Sequence, residues 1–367
     1  MPMQYFSTLI KPASSLCNLR CKYCFYADEA ASRSVKSYGI MSAKTAENLI
    51  DRVFEHMTPP AQISFAFQGG EPTVAGLEYF KHFTAYAEEK NAGRFKIDYS
   101  IQTNGMVIDD GWCELFKKYH FLVGVSLDAD KDVHDFCRVD ANGNGTFTRV
   151  LAATKLLEKH GVDFNILSVI TKQFARHPQA IFKAYVKNNL RYVQLIPCLA
   201  PLEGGVDAHS LTPRIYADFT KKFFLQWYNE ICKGNYISVR QFDNLVMMLR
   251  GQRAEQCGLH GYCTAQFVVE ANGGVYPCDF YVLDEYLCGN INENTIEQIS
   301  QSSAIKAFVA HKEPRSPLCD SCKMFGMCGG GCRRYRSFYR SDPNYCPYQD
   351  FLEYAYPMLV QVARMLR

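Results

Sequence analysis

The feature that most limits the fold of this chain is a regular alternation of short apolar runs with longer amphipathic segments over its first 235 residues. The apolar runs are rich in β-branched and aromatic residues, which is typical of strands, and each is followed by a segment with helical spacing. The six runs are FSTLI, ISFAFQ, KIDYSIQ, FLVGVSLD, FNILSVIT and YVQLIP. This alternation predicts an α/β fold with a parallel sheet covered by helices, and it excludes an all-α or all-β fold.

The pattern predicts three parts of the chain. Residues 1–235 are expected to form a partial, TIM-like (β/α)6 barrel, in which Ser42 and Asp109 stand at helix N-cap positions. Residues 236–350 contain short strands, turns and closely spaced cysteines, so we predict a second, loop-rich domain there. Residues 351–367 complete an amphipathic helix that we expect to pack on the body of the protein.

The chain also has sixteen cysteines in 367 residues. Its N-terminus has no basic segment followed by an apolar stretch, so we expect a cytoplasmic protein, in which thiols stay reduced unless a metal or a mechanism uses them. Metal ligation is therefore favoured over a disulfide framework. We expect no membrane partner, because no apolar run reaches about 18 residues. The chain has no block of like charges, so we expect no nucleic-acid partner.

Three of the cysteines, Cys17, Cys21 and Cys24, follow the first predicted strand with the spacing CxxxCxxC. Ligands of parallel βα folds gather at this end of the strands. A structural zinc site would need a fourth ligand, and none is evident nearby. A [4Fe-4S] cluster held by three thiolates would keep one iron open for an exchangeable ligand. A zinc loop or a chance cluster is the alternative.

The same spacing in the first βα loop resembles the signature of radical S-adenosylmethionine (SAM) enzymes, in which the open iron binds SAM. The sequence FQGGEPT after the second strand resembles the GGEP motif of those enzymes. The resemblance implies that SAM is bound by Tyr23, Gly69, Gly70, Glu71, Pro72, Ser126, Arg138 and Leu199.

Eight further cysteines lie close together in the C-terminal part of the chain. Their order resembles that of the SPASM domain, which holds two auxiliary [4Fe-4S] clusters, so three clusters are expected in all. The resemblance implies that the first auxiliary cluster is held by Cys257, Cys263, Cys278 and Cys332. It implies that the second is held by Cys319, Cys322, Cys328 and Cys346. Two zinc sites are the alternative, because CxxC spacing also serves zinc.

Long stretches, among them SFAFQGGEPTVAG and TAQFVVEANGGVYPCDFYVLD, resemble the anaerobic sulfatase-maturating enzymes. The resemblance implies that a cysteine or serine of an unfolded or nascent sulfatase is oxidised to Cα-formylglycine after hydrogen-atom abstraction from Cβ. Asp279, in the sequence CDF, would be the base, although it could instead cap a turn. Tyr26, Gln68 and Arg240 are expected to contact the substrate. We expect a monomer that receives electrons from a donor such as flavodoxin or ferredoxin.

Two other functions stay open at this point. A radical SAM maturase of a ribosomal peptide, which forms thioether or carbon–carbon cross-links, would carry the same clusters. Such enzymes usually have an additional N-terminal peptide-binding domain, and the few residues before Cys17 leave no room for one, which favours the sulfatase substrate. An iron–sulfur electron carrier would need neither a GGEP motif nor a base. The sequence does not distinguish a cysteine substrate from a serine substrate.

Overall fold

The computed structural model describes residues 4–202, 204, 208–312 and 316–366. The other residues of the three predicted parts lie outside the described residues. The strands are β1 (Gln4–Ile10), β2 (Ala61–Phe67), β3 (Lys96–Thr103), β4 (Leu122–Ser126), β5 (Phe164–Ile170), β6 (Tyr192–Pro197), β7 (Ser238–Val239), β8 (Val268–Val269), β9 (Gly274–Tyr276) and β10 (Gly289–Asn290).

The predicted helices alternate with β1–β6, and further short helices lie between and after them. They are α1 (Phe25–Ala31), α2 (Ala43–His56), α3 (Leu77–Asn91), α4 (Asp110–Lys118), α5 (Lys131–Cys137), α6 (Phe147–Lys159), α7 (Pro178–Lys187), α8 (Pro213–Cys232), α9 (Arg240–Leu249), α10 (Ile296–Ser300), α11 (Ser303–Ala310), α12 (Pro317–Asp320), α13 (Arg333–Tyr339) and α14 (Pro347–Met365). The chain is therefore α/β, and the predicted fold class is confirmed.

Two compact units make up the chain. The first comprises Met1–Ser126, Arg138–Phe164 and Ala265–His311. The second comprises Leu127–Cys137, Asn165–Thr264 and Lys312–Arg367.

The sheet of the first unit has the strand order β10–β9–β8–β1–β2–β3–β4 within the described residues. The strands β1 to β4 run parallel to their neighbours, as the sequence predicts. On the other side of β1, β8 pairs with it in parallel and β9 returns antiparallel to β8, so β8 and β9 form a hairpin. Gly273 in its turn has φ +87°, a conformation that glycine adopts without strain. The hairpin places the segment after β9 beside the end of β1.

Local sequence signals account for the helix ends. The Ser42 hydroxyl accepts a hydrogen bond from the Thr45 amide at 3.1 Å, and the Asp109 carboxylate accepts one from the Trp112 amide at the same distance. Each side chain satisfies an N–H group that would otherwise lack a partner in the first turn of the helix. Along β2 buried and half-buried residues alternate, and its inward Phe65 and Phe67 pack edge-on against Phe83.

The second unit contains the parallel strands β5, β6 and β7, with helices that pack through aromatic side chains. Phe351 of α14 lies 5.7 Å from Phe224 of α8 and 5.8 Å from Phe242 of α9, measured between ring centroids. Trp227 of α8 is also buried in this group, so the C-terminal helix is held by the burial of large aromatic surfaces. In the part of the chain that the structure describes, no helix has the length and apolar character that a membrane span requires.

Candidate active site

The three-cysteine loop lies between β1 and α1. The Cys17 sulfur accepts hydrogen bonds from the Leu19 amide at 3.3 Å and from the Asn104 side-chain amide at 3.8 Å. Burial is the main reason that the pKa of Cys17 is raised to about 11, so the free thiol is protonated and iron must displace a proton to bind it. The loop is fixed in its middle, because the Arg20 amide donates to the Val139 carbonyl at 2.7 Å.

The glycine pair after β2 packs directly against the segment that leads into this loop. A Cβ atom on Gly70 would lie 2.3 Å from the Leu16 carbonyl oxygen and 2.6 Å from the Ser15 carbonyl carbon. The Gly70 amide donates to the Ser14 carbonyl at 2.9 Å. The neighbouring Gly69 has φ +119°. The two glycines therefore let the backbone after β2 approach the backbone before Cys17 closely.

Glu71 of the GGEP sequence is buried, and its carboxylate accepts four hydrogen bonds. The donors are the Thr73 amide at 3.0 Å, the Thr73 hydroxyl at 2.6 Å, the Thr103 hydroxyl at 2.7 Å and the Asn104 amide at 2.6 Å. Burial raises the pKa of Glu71, and these hydrogen bonds oppose the shift. Pro72 begins the 3-10 turn Pro72–Ala75 that supplies two of the donors. This carboxylate therefore ties the ends of β2 and β3 together.

The other residues that the sequence assigns to SAM are placed as follows. The Arg138 guanidinium lies 5.3 Å from the centroid of the Tyr23 ring, so these two are brought together. Ser126 ends β4, and its hydroxyl accepts a hydrogen bond from the Gln102 side chain at 3.1 Å. Leu199 follows β6 in the second unit, where its carbonyl accepts the Cys198 thiol at 3.7 Å.

Three residues predicted from the sequence, Tyr26, Gln68 and Asp279, meet in the first unit. The Tyr26 hydroxyl donates to Asp279 Oδ2 at 2.6 Å, and the Gln68 amide donates to the same oxygen at 3.1 Å and to the Tyr26 hydroxyl at 2.6 Å. The other oxygen of Asp279, Oδ1, is buried and has no hydrogen-bond partner among the described residues. Burial raises the pKa of Asp279, while the Lys11 charge and the Tyr26 hydrogen bond oppose the shift.

Two buried ion pairs, which sequence reasoning missed, lie in the same unit. Lys11 Nζ is 2.9 Å from Glu29 Oε2, and Arg33 Nη1 is 2.6 Å from Glu270 Oε2. Burial raises the pKa of Glu29 to about 7, against the effect of Lys11. The one signal in the sequence is Lys11 itself, which directly follows the apolar run of β1, a position that is expected to be buried.

Arg240, the third predicted substrate contact, lies in the second unit at the start of α9. Its Nη1 donates to the Gln194 side chain at 2.9 Å, and its Nε is 3.9 Å from Glu255. The guanidinium is partly exposed, so it keeps a donor face toward solvent.

The cysteines of the C-terminal part fall into groups. In the second unit one cavity is lined by four thiols, those of Cys319, Cys322, Cys328 and Cys346. Burial raises the pKa of Cys328 to about 11, and the other three thiols add to the shift because they are near. Four cysteines around one cavity match the donor set of a [4Fe-4S] cluster.

The remaining four predicted ligands are divided between the units. In the second unit, Cys257 and Cys263 lie near enough to Cys332 to raise the pKa of its thiol, although burial is the larger cause. Cys278 lies in the first unit, where its carbonyl accepts the Tyr281 amide at 3.0 Å and so closes a turn. Among the described residues no three His, Cys, Asp or Glu side chains are spaced to hold one metal ion. The thiolates that bind an iron–sulfur cluster lie farther apart than the ligands of a single metal ion, because each thiolate binds a different iron.

Comparison with known proteins defines the class of this chain. The model of the Radical SAM superfamily matches residues 12–183, and that of the SPASM iron–sulfur cluster-binding domain matches residues 260–323. Together with the parallel sheet and the cysteine sites, these matches define a radical SAM oxidoreductase with an iron–sulfur SPASM domain.

The relatives define the family within that class. A cysteine-type anaerobic sulfatase-maturating enzyme of Clostridium perfringens (strain 13 / Type A) is 42% identical over 373 residues, which span 100% of both chains. The solved structure of native anSMEcpe with bound AdoMet has a TM-score of 0.92 and 41% identity, and the match covers 99% of this chain and 100% of that one. The structure of anSMEcpe with AdoMet and the Cp18Cys peptide has a TM-score of 0.90 and 40% identity, with the same coverage. The chain belongs to the family of anaerobic sulfatase-maturating enzymes.

Proposed function

We propose that this chain oxidises a cysteine of a sulfatase to Cα-formylglycine. The observation that carries the proposal is the environment of Asp279: one oxygen of its carboxylate is held by Tyr26 and Gln68, and the other is buried and accepts no hydrogen bond from the described residues. A carboxylate with one fixed and one available oxygen suits a base that takes a proton from a bound substrate. A cysteine substrate is proposed because the similar C. perfringens relative is named a cysteine-type enzyme.

The conversion has a simple balance of atoms and electrons. One hydrogen atom leaves the substrate Cβ, one proton leaves its thiol and one electron leaves the resulting radical, which gives a C=S double bond. Water then replaces the sulfur, so that the products are the aldehyde and hydrogen sulfide. When bound, the reduced first cluster and SAM would supply the hydrogen-abstracting radical, and the auxiliary clusters would accept the electron.

Asp279 accepts the substrate proton, and two neighbouring side chains position its carboxylate. Asp279 Oδ1 accepts the thiol proton, and the hydrogen bonds from Tyr26 and Gln68 keep Oδ2 turned away from the substrate. The buried setting excludes water from the carboxylate, so its free oxygen is available to the bound thiol. Arg240 contributes a partly exposed positive charge for the substrate peptide.

The cysteines are proposed to hold three [4Fe-4S] clusters. Cys17, Cys21 and Cys24 would hold the first, which SAM completes. The thiols around the cavity of the second unit support the second auxiliary cluster, held by Cys319, Cys322, Cys328 and Cys346. The first auxiliary cluster is assigned to Cys257, Cys263, Cys278 and Cys332.

The proposed SAM site uses the residues assigned from the sequence. The contact between the Arg138 guanidinium and the Tyr23 ring supports a site at which these residues bind the carboxylate and the adenine of SAM. Gly69, Gly70 and Pro72 would meet the methionine part through their backbone, while Glu71 shapes that backbone through its four hydrogen bonds. Ser126 and Leu199 are the other two residues of the proposed SAM site.

We further propose the partners and the division of the chain. The substrate is an unfolded or nascent sulfatase, and the electrons come from a donor such as flavodoxin or ferredoxin. The enzyme acts as a cytoplasmic monomer, where reducing conditions keep its cysteines available for iron. Residues 1–235 form the SAM-binding part, 236–350 the auxiliary-cluster part and 351–367 the closing helix.

The test uses the reduced, reconstituted enzyme with SAM and a peptide that carries the Cys-x-Pro-x-Arg sequence. Mass spectrometry should show loss of sulfur and gain of an aldehyde, which a hydrazine reagent then captures. A serine version of the peptide tests the preference for cysteine. Asp279→Asn should abolish the aldehyde, and Asp284→Asn, which changes an exposed carboxylate of the same segment, should not. A cross-linked peptide without aldehyde would instead identify a ribosomal peptide maturase.

A further inference from the structure

Lys11 and Glu29 form a buried ion pair next to the proposed base, and no step of the proposed reaction uses either residue. Both side chains are 2% exposed. Removing two charges from water is costly, and a buried pair is often no more stabilising than apolar side chains of the same size. Stability alone therefore does not account for the pair, and its contacts indicate that it positions neighbouring residues.

Glu29 holds the far end of the turn that carries Asp279. Its Oε1 accepts the amide of Val282 at 2.8 Å, while Oε2 accepts Lys11. The turn is closed by the Tyr281 amide, which donates to the Cys278 carbonyl. Hydrogen bonds to a charged group are stronger than neutral ones, so Glu29 is a firm anchor for this turn.

Helix α1, which carries Glu29, also contacts Asp279 directly through Tyr26. Tyr26 and Glu29 are three residues apart on α1 and so lie on one face of the helix. Tyr26 donates to the Asp279 carboxylate, and Lys11 Nζ lies 4.8 Å from the centroid of the Tyr26 ring. Lys11 is thus in contact with both α1 residues that fix the base.

We propose that Glu29, held in place by Lys11, is a positioning residue that fixes the turn carrying Asp279 for proton transfer from the substrate. Glu29 accepts hydrogen bonds from Lys11 and from the Val282 amide, and it acts on Asp279 through that amide. The proposal rests on the function proposed above, because Asp279 matters as a base only in that reaction.

Two pairs of substitutions separate the hydrogen bond from the charge. In Lys11→Met/Glu29→Gln the buried charges are gone, but the glutamine oxygen can still accept the Val282 amide. In Lys11→Met/Glu29→Ala the charges are gone and that acceptor is lost. Glu270→Gln, which removes the charge from the other buried pair, is the control for general destabilisation.

Two readouts are measured on the reconstituted holoenzyme at pH 8. The first is hydrogen exchange of the Val282 amide, and the second is the ratio of formylglycine to 5′-deoxyadenosine formed. We expect Val282 to exchange about tenfold faster or more in the alanine double variant, because a charge-assisted hydrogen bond is lost. We expect the product ratio to fall about 10- to 100-fold in the same variant, since small displacements of a reacting group have effects of that size. The glutamine double variant should recover both readouts, and Glu270→Gln should keep the wild-type ratio.

Three outcomes would overturn the proposal. One is a wild-type product ratio in the alanine double variant. Another is a reduced product ratio in the glutamine double variant although its Val282 amide stays protected from exchange. The ratio would then fall while the turn is still held, so it would not depend on the turn. The third is an equal loss of ratio in Glu270→Gln, which would indicate general destabilisation. If the wild type forms no formylglycine, the proposed function fails, and the exchange of Val282 still decides whether Glu29 holds the turn.

Discussion

Replacing Gly70 by alanine should remove the first iron–sulfur cluster while the auxiliary clusters persist. The added Cβ would lie 2.3 Å from the Leu16 carbonyl oxygen, whereas ordinary contacts begin at 3.4 Å, so the two backbones must separate by about 1 Å. That separation also weakens the hydrogen bonds that the amides of Gly70 and Glu71 donate to Ser14 and Leu16. Overpacking costs about 1–3 kcal/mol and each hydrogen bond about 0.5–1.5 kcal/mol, which gives about 2–6 kcal/mol in total.

The backbone segment that must move leads directly into Cys17, so the three-cysteine loop is the part that is destabilised. Iron analysis after anaerobic reconstitution should give about twelve irons for the wild type and about eight for Gly70→Ala. Cleavage of SAM to 5′-deoxyadenosine should be lost as well. Gly326→Ala is the matched control, because a Cβ there meets no atom within 4 Å. Full iron content and normal SAM cleavage in Gly70→Ala would show that this close contact does not control the first cluster.

Three further predictions concern the buried charges and the second unit. Glu270→Ala should lower the free energy of unfolding by about 3–5 kcal/mol, measured by denaturant titration, because Arg33 is left buried without its partner. Cys346→Ala should reduce the iron content by about four atoms and keep SAM cleavage, since the thiol belongs to the cavity of the second unit. The pKa of Glu29 is raised to about 7 in the folded protein, so the folded state binds the proton more tightly than the unfolded state. Thermal stability of the wild type relative to Glu29→Gln should therefore fall as the pH rises from about 5 to about 7, and a pH-independent difference would contradict this.

The alternation of strands and helices could be predicted because it depends on local patterns. Each strand from β1 to β6 coincides with a run rich in β-branched and aromatic residues, and the N-caps Ser42 and Asp109 are polar residues directly before amphipathic segments. The helix α1 was not predicted. It has seven residues, and its N-cap Cys24 makes no side-chain capping hydrogen bond, so no local signal marks its start. The hydrogen bonds of Tyr26 with Asp279 and of Glu29 with Lys11 hold it instead.

The cysteines and the residues Tyr26, Gln68 and Asp279 could be proposed from motifs, but their arrangement could not. Tyr26 and Asp279 are 253 positions apart in the sequence, and the pairing of β8 with β1 brings them together. The pair of Lys11 and Glu29 escaped prediction because lysine and glutamate are usually exposed. Only the fold shows that both side chains are enclosed.

In the proposed reaction a hydrogen atom leaves Cβ of a substrate cysteine, and the aldehyde forms at the same carbon. A peptide whose cysteine carries two deuterium atoms at Cβ tests it most directly, with mass spectrometry of both products. We expect one deuterium in 5′-deoxyadenosine and one in the aldehyde group for each formylglycine formed. Unlabelled 5′-deoxyadenosine, or a product that keeps both deuterium atoms, would contradict it.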